Sequence, residues 1–407
     1  MKVLLVHNSY QQRGGEDVVF DQECDLLRRA GEQVVEYRRN NAELNELSAV
    51  GRMLAAQQTV WSRQVRRDFH RLLTRERPDV VHVHNTFLRI SPSVYWACTE
   101  AGVPVVQTLH NYRLLCPGAN LFREGRPCRE CQHDGLWRGM LHGCYRKSRV
   151  ATGTVAVMLA LHRRWKTWTD QIDCHIALSE FSRREFQAAG MPDRKLVVKP
   201  NFVYPDPGVQ SAQADYVVAM GRLSEEKGLT TLLKAWKGLG NAVPLLLIGD
   251  GPQRQYLQAQ AEKDGISSVK FLGRLPRHEA MALLQRARFL VFPSECYENF
   301  PGAIVEAYAC GVPVIASSLG AMEEMVRHGE TGLLFSAGDS EGLREAAEWA
   351  WSHAAAMASM GRVARSEYER SYTAERNYTL LMNIYDRAIA SKHGGSAALA
   401  PPAACGL

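Results

Sequence analysis

Residues 296–314 of the chain read CYENFPGAIVEAYACGVPV, and this segment places two carboxylates, Glu298 and Glu306, eight residues apart. An apolar run at residues 289–293 comes before it and predicts a short strand that ends at a proline. Glu298 then lies in a loop, and Glu306 lies two turns into a predicted helix. The pattern predicts a strand, a loop and a helix in which the two carboxylates frame a ligand.

The start of the predicted helix is typical of an anion site. Pro301 suits the first helical turn, because its missing N–H would have no partner there. The amides of Gly302, Ala303 and Ile304 would then point outward at the positive end of the helix dipole. An anion is expected at this end, whereas Glu306, further along, suits sugar hydroxyls better than phosphate.

A turn earlier in the chain carries two cations. Residues 216–220 predict a buried strand, the next turn contains Gly221, Arg222 and Lys227, and an apolar-periodic helix follows at residues 229–236. A guanidinium and an ammonium on one turn can hold a diphosphate. A solvated basic turn without a ligand is the alternative, and the turn alone favours neither interpretation.

Together the two motifs resemble those of the retaining glycosyltransferases of family 4. The first reads Gly-Arg-Leu-x-x-x-Lys-Gly from Gly221, and the second reads Glu-x7-Glu-Ala-x-Ala-x-Gly-x-Pro-Val from Glu298. The resemblance extends over nearly the whole chain and implies a GT-B fold of two Rossmann-like domains. It also implies that Arg222 and Lys227 hold the donor diphosphate, Glu298 the hydroxyls of the donor sugar, and Glu306 the ribose.

The chain departs from that family at one position. The family usually has a glycine directly after the phenylalanine, but here Pro301 follows Phe300. The missing amide shifts the expected diphosphate contact to Gly302 and Ala303. The resemblance further implies that the nucleotide base lies near the turn that contains Arg274.

Length and composition fit a globular protein of two domains. The chain has 407 residues, of which 46% are hydrophobic and 23% charged. No apolar run reaches the roughly 18 to 20 residues that span a bilayer, and the first residues lack the layout of a signal peptide. We therefore expect a cytoplasmic protein.

Positive charge is concentrated in the first half. Residues 1–200 contain 30 Lys and Arg against 21 Asp and Glu. Basic residues recur near helical spacing at 63–71, and residues 163–168 read RRWKTW, which interleaves cations with indoles. Such a surface suits peripheral contact with the anionic inner leaflet of a membrane. A solvated helix face is the alternative, and nucleic acid is not expected because no binding module accompanies the charge.

Alternating strand and helix patterns predict two doubly wound α/β domains facing a cleft. The expected N-terminal, acceptor-side domain covers residues 1–200, with a Cys-rich insertion at about 113–148. The nucleotide-sugar domain covers 201–390, and 391–407 form a disordered tail. Eleven strands are predicted, at residues 3–6, 34–37, 80–83, 105–108, 172–178, 196–199, 216–220, 245–248, 269–272, 289–292 and 314–316.

The N-terminal half contributes further candidates. Gly14 and Gly15 follow the first strand and open a helix, where backbone amides approach ligands in doubly wound folds. His110 lies just past a strand end, and a structural histidine is the alternative there. The resemblance implies that the glycine pair lines the cleft and that His110 contacts the donor sugar near its reacting carbon.

Four cysteines in the insertion predict structural zinc: Cys116, Cys128, Cys131 and Cys144. A segment with little apolar content needs another source of order, and disulfides are disfavoured in the cytoplasm. Four unrelated thiols are the alternative, and His133 and His142 are candidate replacements for one sulfur. No Asp-x-Asp motif is present, so no cofactor is expected for catalysis.

The expected reaction is transfer of a hexose-like unit from a nucleotide-diphosphate sugar to a hydroxyl of a glycan or lipid-linked oligosaccharide. The resemblance implies retention at the anomeric carbon, with His110, Arg222, Lys227 and Glu298 in the catalytic centre. Two alternatives stay open: a GT-B-fold nucleotide-sugar epimerase, and a catalytically silent nucleotide-sugar-binding protein.

Overall fold

The computed structural model describes residues 1–11, 13–44, 48–210, 214–392 and 394. Two six-stranded sheets form its framework, and every strand in each sheet runs parallel to its neighbours. Helices flank both sheets, so the predicted fold class of two Rossmann-like domains is confirmed. Nearly the whole expected tail, residues 391–407, lies outside the described residues.

The N-terminal sheet has the strand order β2-β1-β3-β4-β7-β8. Five of its six strands are fully or mostly buried, in keeping with their β-branched composition, whereas the edge strand β2 is half-buried to exposed. The strands are β1 (Lys2–Ser9), β2 (Gln33–Asn40), β3 (Val80–Asn85), β4 (Val105–Thr108), β7 (Cys174–Ala177) and β8 (Leu196–Val198), and the small hairpin of the insertion is β5 (Phe122–Arg123) and β6 (Arg126–Pro127). The helices are α1 (Gly15–Arg29), α2 (Ala49–Val60), α3 (Arg63–Glu76), α4 (Ser93–Glu100), α5 (Glu130–His133), α6 (Trp137–His142), α7 (Arg149–Arg164), α8 (Thr167–Asp170) and α9 (Glu180–Ala188).

The C-terminal sheet has the order β11-β10-β9-β12-β13-β14. Its strands are β9 (Val217–Met220), β10 (Leu245–Ile248), β11 (Val269–Gly273), β12 (Leu290–Phe292), β13 (Val314–Ser318) and β14 (Gly332–Ser336). Its helices are α10 (Leu229–Leu239), α11 (Arg254–Lys263), α12 (Arg277–Arg286), α13 (Gly302–Ala309), α14 (Ala321–Met325), α15 (Ser340–Ser352) and α16 (Ala354–Ser371), followed by α17 (Ala374–Lys392). Strand β14 was not predicted, because its sequence begins with glycine and has no β-branched residue.

The expected second domain, residues 201–390, includes α17, but in the structure this helix belongs to the first domain. This helix packs on the N-terminal sheet, where Leu381, Ile384 and Tyr385 join the apolar core formed by β1, β3, β4 and β7. The Tyr385 hydroxyl lies 2.8 Å from Nδ1 of His82 on β3. The chain therefore returns to the first domain at its end, which the alternation of strands and helices cannot reveal.

The two domains also meet through polar contacts beside the cleft. The carboxylate of Glu324 on α14 accepts hydrogen bonds from the backbone amides of Glu180 and Phe181, at 2.8 and 2.6 Å. These amides begin α9, where a negative charge is favourable. In the part of the chain that is described, no helix is long and apolar enough to cross a membrane.

Candidate active site

An ion pair joins the two sequence motifs of the C-terminal domain. The ammonium of Lys227 lies 2.5 Å from Oε1 of Glu298, and the hydroxyl of Ser294 donates to the same oxygen at 2.6 Å. Burial opposes the charge of Lys227, but Glu298 and neighbouring acidic groups outweigh it and raise the pKa of the lysine. Lys227 is therefore a fixed cation at the carboxyl edge of the sheet.

Local backbone geometry brings the two turns together. Lys227 ends a 3-10 turn, Glu225–Lys227, and Gly228 follows with a φ of 65°. A Cβ at Gly228 would lie 1.9 Å from the carbonyl oxygen of Pro293, so only glycine fits this contact. The amide of Glu295 donates to the carbonyl of Glu226 at 2.9 Å and completes the junction.

Arg222 lies on the same turn but is much more exposed. Its guanidinium donates to Glu226 at 2.5 Å and to the hydroxyl of Ser224 at 3.2 Å, while 65% of the side chain is accessible to solvent. Glu226 is buried beneath it. The carboxylate positions the guanidinium without covering it, so Arg222 can contact a ligand.

The start of α13 differs from the sequence prediction in two respects. Pro301 lies directly before the helix rather than in its first turn, and the amide of Ile304 donates to the carbonyl of Pro301 at 3.0 Å. The expectation that Ile304 offers a free amide is therefore wrong. Gly302 is exposed and Ala303 half-buried at the first two helical positions, and Phe300 packs between the cores of both domains.

Glu306 faces a cation on the neighbouring helix. Arg277 on α12 lies 3.2 Å from its carboxylate. Burial raises the pKa of Glu306, and Arg277 acts in the opposite direction. Arg274, in the loop after β11, is exposed and makes no ion pair or hydrogen bond to any described residue.

The Glu298 loop is attached to the N-terminal domain beside His110. The Asn299 side chain donates to the carbonyl of Leu109 at 2.6 Å, and the Asn299 carbonyl accepts a hydrogen bond of 3.1 Å from the Ser179 hydroxyl. The Tyr112 hydroxyl lies 3.4 Å from the carbonyl of Glu298. These contacts bring Glu298 and His110, the candidates from the two domains, to the same cleft.

His110 is backed by a buried polar cluster. Its Nε2 lies 2.9 Å from Nδ1 of His84, whose Nε2 lies 3.3 Å from Glu23. Lys199 donates to Glu23 at 2.7 Å. Burial and the neighbouring histidines hold the pKa of His110 well below its usual value. His110 is therefore a neutral hydrogen-bonding group at physiological pH.

A cavity opens beside His110 in the N-terminal domain. It contains about 560 Å³ of empty space, part of it open to solvent, and its lining includes Tyr10, Asn111 and Arg113. Asn111 donates to Glu16 at 2.5 Å, and Glu16 directly follows Gly14 and Gly15 at the start of α1. The glycine pair is thus linked to this side of the cleft.

The four cysteines of the insertion line a second, smaller cavity away from His110. Cys116 is in hydrogen-bonding contact with Cys131, and this contact together with backbone amides lowers the pKa of Cys116 to about 6, against the effect of burial. Burial raises the pKa of Cys144 to about 11. All four cysteine side chains therefore line the same small cavity, whereas His133 does not line it.

Sequence reasoning missed the residues that support the candidates. Ser294 and Glu226 position Lys227, Glu298 and Arg222, and Asn299 connects the domains. Glu23 and Lys199 stand behind His110, although they are far apart in the sequence. Of these residues, only Ser294 could have been recognised from the local sequence, because it is a polar residue just after a buried strand.

Both halves of the chain match known families. Residues 208–367 match the family Glycosyl transferases group 1, and residues 11–201 match the Glycosyl transferase 4-like domain. The chain is 33% identical over 180 residues to the D-rhamnosyltransferase WbpZ of Pseudomonas aeruginosa, covering 42% of this chain and 47% of that protein. It is 34% identical over 193 residues to a phosphatidyl-myo-inositol mannosyltransferase of Mycobacterium leprae, covering 44% and 50%. The chain thus spans about half the length of these curated relatives.

Solved structures share the fold along almost the full chain. Anabaena Alr3699/HepE in complex with UDP matches with a TM-score of 0.66 at 20% identity, covering 95% of this chain and all of that one. A sucrose-phosphate synthase from Thermosynechococcus elongatus matches with a TM-score of 0.68 at 17% identity, covering 96% and 99%. Glycosyltransferase family models thus match each half of the chain, and these structures share its fold throughout, which supports a group 1 glycosyltransferase with the GT-B fold.

Proposed function

We propose that the protein transfers a hexose-like sugar from a nucleoside diphosphate to a hydroxyl of a glycan or lipid-linked acceptor, with retention at the anomeric carbon as in family 4. The observation that carries the proposal is the Lys227–Glu298 ion pair, whose glutamate lies on a loop that is hydrogen-bonded to Leu109, the residue before His110. The names of the relatives, a rhamnosyl- and a mannosyltransferase, and the UDP bound to HepE support a nucleotide-sugar donor.

Leaving-group charge is the main chemical problem of such a transfer. Negative charge accumulates on the departing diphosphate while the sugar becomes cation-like, so fixed donors must face the phosphates. Arg222, Lys227 and the amides of Gly302 and Ala303 supply them. When the diphosphate binds Lys227, it replaces Glu298 as the partner of the ammonium. The carboxylate of Glu298 then becomes free to accept hydrogen bonds from donor-sugar hydroxyls.

Retention follows from attack on the face that the leaving group occupies. The departing phosphate itself takes the proton of the acceptor hydroxyl, so no protein nucleophile is required. His110 is neutral, and its neighbour His84 fixes the ring from behind. It therefore holds the donor sugar by hydrogen bonding rather than by charge, and the adjoining cavity receives the acceptor.

An exposed surface of the N-terminal domain supports a lipid-linked acceptor at an anionic membrane. On α6 and α7 and just after them lie exposed apolar side chains, namely Trp137, Met140, Leu141, Val150, Val157 and Trp165. Exposed cations accompany them, namely Arg146, Lys147, Arg149, Arg164 and Lys166. Interfacial tryptophans and juxtamembrane cations favour such a surface. Cosedimentation with anionic vesicles, lost in Trp137→Ser but kept in the control Trp349→Ser, tests this part.

A donor screen followed by a turnover assay tests the function. The purified protein is heated with a panel of nucleotide sugars, and the stabilising donor, expected to add about 2.7 kcal/mol at 100 times its Kd, is then incubated with acceptors. Release of nucleoside diphosphate that depends on the acceptor supports transfer, and NMR of the product tests retention. A new nucleotide sugar formed from donor alone would indicate an epimerase. Binding without release under any acceptor would indicate a silent binder.

A further inference from the structure

We propose that Cys116, Cys128, Cys131 and Cys144 bind one structural zinc ion through four thiolates. The four side chains line one small cavity within the insertion. Cys128 lies two residues before α5 and Cys131 lies within it, while Cys116 precedes the β5–β6 hairpin and Cys144 follows α6. Two cysteines that are close in the sequence, together with two more distant ones, form a set of four sulfur ligands that is typical of tetrahedral zinc.

Charge around the cavity suits an anionic centre. Zinc binding replaces four thiol protons, so the ion and its four thiolates carry a net charge of about −2. Arg123 and Arg138 line the same cavity, and Glu130 is the carboxylate between them. The Nε atom of Arg123 is buried and makes no hydrogen bond to any described residue, whereas that of Arg138 lies 3.3 Å from Glu130. A thiolate sulfur would provide an acceptor for Arg123.

Backbone geometry is built closely around the sulfurs. Amides of Gly118, Ala119 and Leu121 are directed at the sulfur of Cys116. A Cβ on Gly139 would lie 3.1 Å from both Sγ of Cys131 and Cγ of Pro117, so a side chain at this helical position would press against the ligand. Hydrogen bonds to ligand atoms and close packing around them are features that orient metal ligands.

Zinc would draw the sulfurs together. Tetrahedral zinc with bonds of about 2.3 Å requires sulfurs about 3.8 Å apart. Among the described residues, the group of three whose ligand atoms all lie within 4.8 Å of one another is instead Glu23, His82 and His84. That group is already neutralised, because Lys199 donates to Glu23 at 2.7 Å. The cysteine cavity therefore remains the better metal site, and binding there would require its sulfurs to move closer together.

The insertion needs such a centre because its own elements are short. Its strands have two residues each, and α5 and α6 have four and six. Segments of this size do not hold themselves together in water. At its base, Tyr112 contacts the carbonyl of Glu298 and Arg113 lines the cavity beside His110. Zinc would thus order a wall of the cleft, a consequence that rests on the proposed function, whereas the metal site itself does not.

Elemental analysis of the full-length protein tests the site directly. Protein expressed with added zinc and passed over a desalting column is expected to contain about one zinc per chain. Cys131→Ser is expected to lose the metal, and the matched control Cys24→Ala, a buried cysteine on α1, is expected to keep it. Less than about 0.2 equivalents of zinc in the wild type would overturn the proposal. One equivalent of iron would overturn the choice of zinc.

Two further measurements use the wild type, in case Cys131→Ser fails to fold. Cobalt substituted for zinc should give intense thiolate-to-metal charge-transfer bands, and their absence would overturn thiolate ligation. Chelation should also make trypsin cut the Arg-rich insertion at least about tenfold faster, as expected for loss of an ordering ligand. An unchanged rate after complete zinc removal would contradict a structural role. Neither readout depends on glycosyl transfer.

Discussion

The side chain of Asn299 donates a hydrogen bond of 2.6 Å to the carbonyl of Leu109, the residue directly before His110. Asn299 directly follows Glu298, so one buried amide connects the donor-side loop of one domain to the strand end of the other. The contact sets the distance between the two candidate halves of the active site. Its removal is therefore expected to affect turnover more than folding.

Asn299→Ala is expected to lower kcat/KM by about tenfold. Loss of a buried hydrogen bond that leaves its acceptor unsatisfied costs about 1 to 3 kcal/mol. Steady-state kinetics and thermal unfolding measure the two effects separately. Asn241→Ala, which removes an exposed contact to Ser267, is the matched control and should leave both unchanged. Equal kinetics for the two variants would argue against a role for the interdomain contact.

Lys227→Met is expected to lower kcat/KM by on the order of 10² to 10³, because it removes a preorganised cation that faces the diphosphate. Arg222→Ala should have an effect of the same order. Lys237→Met is the matched control, since Lys237 also pairs with a carboxylate in this domain, at 2.8 Å from Asp264, but on the surface. Wild-type kinetics in the double variant of Lys227 and Arg222 would refute the assignment.

Glu306→Gln is expected to weaken binding of the donor's nucleoside diphosphate by about tenfold or more, as for loss of a hydrogen bond to a charged group. Burial raises the pKa of Glu306, so the carboxylate loses its charge as the pH falls through this raised value. Wild-type affinity should therefore fall at acidic pH, and the affinity of Glu306→Gln should change less. Calorimetry at several pH values measures this, with Glu279→Gln on α12 as control. Identical pH profiles would exclude Glu306 from the nucleotide site.

Acid should destabilise the N-terminal domain partly through His175. Burial lowers the pKa of this histidine to about 4, and its Nε2 lies 2.8 Å from the carbonyl of Trp168. The unfolded chain protonates it near pH 6.5, so its stabilising contribution is present above pH 6.5 and is lost as the pH falls toward 4.

Between pH 7.5 and pH 5 this single histidine should cost about 2 kcal/mol of unfolding free energy. In His175→Gln, which keeps a donor for the carbonyl, urea unfolding should show a pH dependence smaller by that amount. The exposed His278→Gln serves as control, because 84% of this side chain is accessible to solvent. A wild-type pH dependence in His175→Gln would contradict the buried, neutral state.

The amino-acid sequence determined the local elements of this protein, the two sheets and most candidates for the site. Alternating apolar strands and periodic helices encode the elements, and Arg222, Lys227, Glu298 and Glu306 stand in motifs that local chemistry makes recognisable. Tertiary structure alone decided which groups meet. Hydrogen bonds such as Asn299 to Leu109 and Lys199 to Glu23 join residues far apart in the chain, and helix α17 crosses back to the first sheet. Local patterns cannot encode these contacts, because the contacts depend on how elements far apart in the sequence pack against one another.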